Sequence, residues 1–421
     1  MSTAELRSWL QRPDVLTFPY CDVVREYHGR GKHSVSPHLL SLLTEVRVRL
    51  PALPGPWPQV QMLASFLDTA LDKADRRYDY PSYLALALLP LPAVDDPIDQ
   101  APFARVRCDR ITVQLVSDAL GFELAVADGR TAVLPRMRPA ADLVGKRHRH
   151  GLRVVRPALA RMALDAGPVG SGPVEQARQA CAAVRGDMSA TEARAMQLSI
   201  LPVHTAHDEY LFLRVLQTFE TTFALLAVQL RGALEALRDG RPDRAASFLT
   251  SCDEALGESA PLFSMLATMQ IDSFRTFREL TDGASAIQSR NYKFVEALCR
   301  EPDPERLDSA AYRSVPEVRA AVLDGLPTLD DAYRAYCASS DVDEGARERL
   351  AAAMRGFART MLRWRRTHYR LAVRMLGSAP GTGYTEGTPY LDATRAVPVF
   401  DAVGSVGADP GGRPLTSGRR T

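Results

Sequence analysis

Between Glu344 and Leu376 the chain runs for thirty-three residues without a proline. Its large apolar side chains return every three or four positions, at Leu350, Met354, Phe357, Met361, Trp364, Leu371 and Met375, and His368 stands in the same series. That period lays them along one face of a single long helix. An element this long and this one-sided commits its surroundings to helix-on-helix packing. Arginines fill the flanks, and Gly377 ends the helix ahead of Ser378-Ala379-Pro380-Gly381-Thr382-Gly383, a stretch that neither helix nor strand tolerates.

A second long helix opens at Ala206-His207-Asp208-Glu209, with acids in its first turn and Gly240 after its end. Its stripe is Phe212, Leu216, Phe219, Phe223, Leu226, Leu230 and Leu237. Further helices are expected near Arg244 to Leu256, Pro261 to Leu280 and Ala286 to Arg300. Before these lies a region, 1–165, that reads as a mostly helical extension. It holds one expected β-hairpin, in which Phe122 to Val126 and Thr131 to Leu134 flank Asp128-Gly129, a dipeptide suited to a tight turn. The run Gly167-Pro168-Val169-Gly170-Ser171-Gly172-Pro173 reads as a linker spanning 166–186, followed by a helical domain over 187–400 and a disordered tail over 401–421. The expected fold class is mainly α.

Composition narrows the function. The 52 Lys plus Arg balance 50 Asp plus Glu, which disfavours nucleic acid and anionic membrane as partners. Tyr83 to Val94, the longest apolar stretch, is broken by two prolines and falls short of a membrane span. The first residues lack the pattern of a secretory signal. The six cysteines form no CxxC or CxxxC pair, so neither disulfide framework nor zinc knuckle is suggested. A cytoplasmic protein is expected.

Two side chains stand out. His368 occupies an apolar stripe position, where it is either a hydrogen-bonded core histidine or a ligand. Zinc would require further ligands close by, whereas a haem iron needs one histidine presented from a helix into an apolar slot. Arg278 shares a helix face with Phe274, so it is either a surface arginine covering a ring or a bidentate partner for a carboxylate. The run Lys146-Arg147-His148-Arg149-His150 reads as a solvated helix face, and His28, His33 and His38 fit no ligand pattern.

Four separated stretches carry a resemblance. His207-Asp208-Glu209-Tyr210-Leu211-Phe212 with Gln217-Thr218-Phe219-Glu220, then Ser273 to Arg278, then Ser285-Ala286-Ile287-Gln288-Ser289 with Tyr292, then Trp364-Arg365-Arg366-Thr367-His368 with Gly377 and Gly381 to Gly387 resemble, in order, the motifs of tryptophan 2,3-dioxygenase and the wider group of histidine-ligated haem aromatic oxygenases. The resemblance covers roughly residues 187 to 400 and implies a helical haem-binding bundle. It implies haem b on His368, with Trp364 and Ser285 beside it and the helix arginines near its propionates. It also implies Arg278 on the carboxylate of an aromatic amino acid, Thr382 at the substrate's amino-acid end, and Phe212 and Phe274 around its ring.

The departures are specific. Leu216 falls where the family has a distal histidine, so no catalytic base is assigned. Phe274 replaces a tyrosine, and the segment between Glu296 and Trp364 is shorter than the family's. The implied function is oxygenation of L-tryptophan or a similar amino acid at the indole by dioxygen. One alternative is a monooxygenase or peroxygenase of secondary metabolism acting on a modified tryptophan or tyrosine; another is a helical interaction protein that lost its cofactor. The family also implies a homo-oligomer, dimer or tetramer, in which N-terminal segments complete a neighbour's pocket, unless the extension here replaces that arrangement or caps the bundle within one chain.

Overall fold

The computed structural model describes residues 2–165, 167, 172–340, 342–377 and 387–403. Helix follows helix throughout, and the described residues contain no strand, only an isolated bridge between Arg136 and Ala206.

The expected hairpin is therefore absent. Phe122 to Val126 are the last turns of the helix Ala104–Ala127, Asp128 is its C-cap, and Gly129 takes a φ of 67° just beyond. A left-handed glycine closes a helix as readily as it turns a hairpin, and the stripe Val113, Val116, Leu120, Leu124 repeats at helical spacing. Part of the expected linker is also structured, since residues 173–187 form the helix Pro173–Asp187, packed on the core through Ala177, Ala180, Cys181 and Val184. Pro173 sits at its first turn, where a missing N–H costs nothing. The expected tail lies outside the described residues beyond position 403. The expected helix from Pro261 to Leu280 divides into Pro261–Leu266 and Ile271–Arg278, and that from Ala286 into a 3-10 turn and Arg290–Cys299.

The apolar side chains gather mainly into two cores. The smaller is built mostly from the first seventy residues, among them Leu6, Tyr27, Leu39, Leu43 and Phe66, and is joined by Ala85, Leu88, Leu198 and Leu201. The larger begins at Tyr80 and continues to Phe400, so residues 80–159 share a core with the C-terminal helices. Its axis is the helix Asp208–Arg238, long and apolar enough to cross a bilayer but with 89% of its most apolar window buried inside the protein. The helices Ala104–Ala127, Pro242–Glu258 and Arg290–Cys299 pack round it, and Glu344–Leu376 packs on Pro242–Glu258. Between the two cores the chain approaches itself closely: a Cβ on Gly31 would lie 2.5 Å from the Val203 carbonyl oxygen. Only glycine fits there, and its φ is 76°.

The basic run after Lys146 is not a solvated face throughout. Lys146 and Arg149 are exposed, but Arg147 and His148 are buried. Arg147 donates to Glu123 Oε1 and Asp208 Oδ1, both at 2.6 Å, and to Thr268 Oγ1 at 3.1 Å. His207 Nε2 lies 3.0 Å from the other Glu123 oxygen. Buried charge is tolerated there because it is paired and hydrogen-bonded.

Candidate active site

Asp208, Glu209 and Gln217, polar residues of the motif on the central helix, fix the helix rather than line the cavity. Asp208 pairs with Arg147 and also accepts from the backbone N–H of Gln270 at 2.7 Å. Gln270 is the N-cap of Ile271–Arg278, so one carboxylate fixes the entry of the helix that carries Phe274 and Arg278. Just beyond its far end, His33 Nε2 from the N-terminal region lies 2.7 Å from the Leu280 carbonyl oxygen. Glu209 accepts from the Val203 and His204 amides at 2.7 and 2.9 Å, and burial pushes its pKa up to about 8. Gln217 donates to the carbonyls of Leu84 and Ser199.

One turn further along, the same helix turns Phe212, Leu216, Phe219, Glu220 and Phe223 into a cavity of about 260 Å³. Ile271–Arg278 contributes Phe274 and Arg278, the segment before Arg290–Cys299 contributes Ser285, and Glu344–Leu376 contributes Trp364 and His368. Seven of the expected site residues thus meet in one place: Phe212, Leu216, Phe274, Arg278, Ser285, Trp364 and His368. The eighth, Thr382, lies outside the described residues.

The cavity has two aromatic ends. At one, Phe212, Phe274 and Phe277 pack with ring centroids 5.3 to 5.7 Å apart beside Arg278. Burial lowers the Arg278 pKa. At the other, Trp364 meets Phe219, Phe223 and Phe263, and the His368 ring lies 5.3 Å from Trp364 and 6.2 Å from Phe263. No described residue hydrogen-bonds or ion-pairs with that imidazole. Burial alone pushes its pKa down to about 4, which keeps the ring neutral. The indole N–H of Trp364 is likewise buried without a partner.

Several lining residues escaped the sequence reading. Tyr80 comes from the N-terminal region, with its backbone N–H bonded at 2.9 Å to Gln288 Oε1, which also accepts from Ser285 N. Where the resemblance implies a neighbour's N-terminal segment, a segment of the same chain lies here. Glu220 is buried, with Oε1 lacking a hydrogen-bond partner, and burial pushes its pKa up to about 7. Lys293, Arg306 and Arg365 also line the cavity. All three share one carboxylate, Glu296, at 2.8, 2.6 and 3.3 Å, and their charges hold its pKa well below the usual carboxylate range. Three cations on one anion leave a surplus of two positive charges among the described residues.

The flanking arginines of the long helix are a correction. Arg365 alone among them turns into the cavity. Arg355, Arg359, Arg363, Arg366, Arg370 and Arg374 are exposed and therefore do not surround His368.

No family model matches the chain. It is 30% identical to tryptophan 2,3-dioxygenase of a Nocardioides species over 222 residues, 46% of this chain and 82% of that protein. It is 26% identical to the tryptophan 2,3-dioxygenase of a Ruegeria species over 239 residues, 48% and 85% of the two chains. The same enzyme of Pseudomonas aeruginosa is 25% identical over 223 residues, 45% and 77%. With most of a relative's length matched at that identity, and with the motif residues gathered round one cavity, the chain belongs to the tryptophan 2,3-dioxygenase family of haem-dependent oxidoreductases.

Proposed function

We propose that the protein is a haem-dependent oxygenase acting on L-tryptophan or a tryptophan-like aromatic amino acid. The observation that carries this reading is one cavity with a neutral histidine, unpartnered among the described residues, at one aromatic end and an arginine at the other. The lining fits haem b. His368 would hold its iron, since only a neutral imidazole binds iron. The two surplus charges of the Lys293, Arg306 and Arg365 cluster match two propionates. Trp364 and Phe263 supply apolar contact beside His368. When bound, the haem supplies activation of dioxygen; the chain supplies orientation and a dry site.

In this reading Arg278 takes the carboxylate of the amino acid, with Phe212 and Phe274 against its ring and Ser285 and Thr382 near its amino-acid end. A few polar anchors in a mostly apolar cavity are what orient such a ligand. Glu220, its pKa pushed up to about 7 by burial, can donate or accept one proton inside the cavity. The protein works in the cytoplasm, a reducing compartment that suits its six unpaired cysteines.

A second reading is favoured by Leu216. With an apolar side chain on the cavity wall where the family has histidine, nothing there grips an indole N–H, and a monooxygenase acting on a modified tryptophan or on tyrosine fits as well. Reaction with L-tryptophan under isotopically labelled dioxygen separates the two. A product carrying both oxygen atoms supports the dioxygenase, one atom supports the monooxygenase, and no product from tryptophan, tyrosine or a halogenated tryptophan refutes both.

A further inference from the structure

After Glu348 the helix that carries His368 contains no acidic residue, and the next in the sequence is Glu386. Eight arginines lie on it from Arg349 onward. Two are engaged: Arg349 with Asp243 at 2.7 Å, and Arg365 with Glu296 and Tyr292. The other six, Arg355, Arg359, Arg363, Arg366, Arg370 and Arg374, follow one another at spacings of four, four, three, four and four. At about 100° per residue they share an arc of roughly 100°, in a stripe about 28 Å long. All six are exposed, and none forms an ion pair with a described residue. Like charges four apart weaken a helix. In a chain of 52 basic and 50 acidic residues, no acid on this helix after Glu348 offsets them.

This geometry selects the partner. An identical stripe on a second copy repels it across a two-fold axis, and an apolar partner would desolvate guanidinium groups without compensation. A stripe one helix wide and confined to one face of a chain with near-zero net charge suits the small footprint of a transient protein encounter better than a long polyanion. Electron-transfer encounters are of this kind, with interfaces below about 1,200 Å² and association steered by charge. The stripe also has a particular position. On the helical wheel its centre lies opposite Trp364 and His368, so it is separated from the ligand histidine by one helix, about 10 to 12 Å across.

We propose that the six-arginine face docks an acidic one-electron carrier protein, such as an iron–sulfur or flavin protein. The proposal rests on the haem reading above. Dioxygen binds ferrous haem, and the carrier primes a ferric site: one electron leaves its reduced centre and enters the group held at His368, with no bond made or broken and no proton moved.

The test uses the full chain and a plant-type [2Fe–2S] ferredoxin as probe. Calorimetry measures its binding across ionic strengths, with or without haem. Stopped-flow absorption measures reduction of the haem-loaded protein by reduced ferredoxin and, separately, by dithionite. The triple variant Arg355→Glu/Arg359→Glu/Arg363→Glu is compared with Arg149→Glu/Arg153→Glu, two exposed arginines of another helix. The triple variant is expected to lose about tenfold or more in ferredoxin affinity and reduction rate and most of the salt dependence, with dithionite reduction unchanged. Arg355→Gln/Arg359→Gln/Arg363→Gln, milder for folding, is expected to fall between. Equal affinity and rate in wild type, triple variant and control overturn the proposal. So does a stripe that binds a DNA duplex or phosphatidylserine vesicles through these arginines but not ferredoxin. A chain that takes up no haem refutes the proposed function instead, while the calorimetric arm still decides the surface.

Discussion

Replacing Arg147 by methionine removes the one cation among three buried acceptors while keeping an unbranched side chain of similar length. Arg147 is wholly buried, and its 2.6 Å bonds to Glu123 and Asp208 join the helices Ala104–Ala127, Ala141–Arg161 and Asp208–Arg238. Without it Glu123 keeps only its contact with His207, and Asp208 only the Gln270 amide. Removing one partner of a buried ion pair costs about 3 to 5 kcal/mol. That is a large part of the roughly 5 to 15 kcal/mol available to a typical fold. Urea unfolding followed by circular dichroism measures it, with Arg149→Met, exposed on the same helix, expected to change stability by less than about 0.5 kcal/mol. Adding Glu123→Gln and Asp208→Asn to Arg147→Met removes the stranded charges and is expected to recover part of the loss. A cost for Arg147→Met below about 1 kcal/mol, or no recovery in the triple variant, refutes the reasoning.

Three further outcomes are expected. Glu220 has its pKa raised from 4.5 to about 7, so the folded state favours the protonated carboxyl. The stability this contributes is full below pH 4.5 and lost as pH rises towards 7, on the order of 2 to 3 kcal/mol; Glu220→Gln should flatten the fall in melting temperature between pH 5 and 7, and an unchanged slope contradicts it. His368, lowered from 6.5 to about 4 by burial, should titrate in an NMR experiment on haem-free protein near pH 4, and a midpoint at 6.5 contradicts its burial. Arg278→Ala should weaken binding of the amino-acid substrate by about 2 to 4 kcal/mol, roughly thirtyfold to a thousandfold in Kd, and a loss under threefold removes Arg278 from the site.

The long helices were legible because their apolar spacing is repeated many times. Leu350, Met354, Phe357, Met361 and Met375 are all buried as their period requires, and the three partly buried members of the stripe, Trp364, His368 and Leu371, all line the cavity. Motif resemblance located seven cavity residues. Local chemistry misled at Asp128-Gly129, because a glycine with positive φ ends a helix and turns a hairpin alike. Arg147 was misread for a different reason: its partners are 24 and 61 residues away, and no spacing rule pairs them. Tyr80 joins the cavity by a bond to Gln288, 208 residues distant, and carries no local mark. Glu220 had a signal, since it sits four residues after Leu216 and eight after Phe212 on the same helix face, within a stretch already singled out. The outward arginines are equally legible, since their spacing puts them opposite His368; nearness in sequence does not bring them to the imidazole.

The central claim is that His368 holds a haem in the cavity. The absorption spectrum of the purified, haem-reconstituted protein tests it most directly, beside His368→Ala and a control, Thr367→Ala, whose hydroxyl bonds only within its own helix. A Soret band is expected in wild type and control at one haem per chain, and its loss or displacement in His368→Ala with helical content retained. A colourless protein that cannot be reconstituted, or an identical Soret band in His368→Ala, contradicts it.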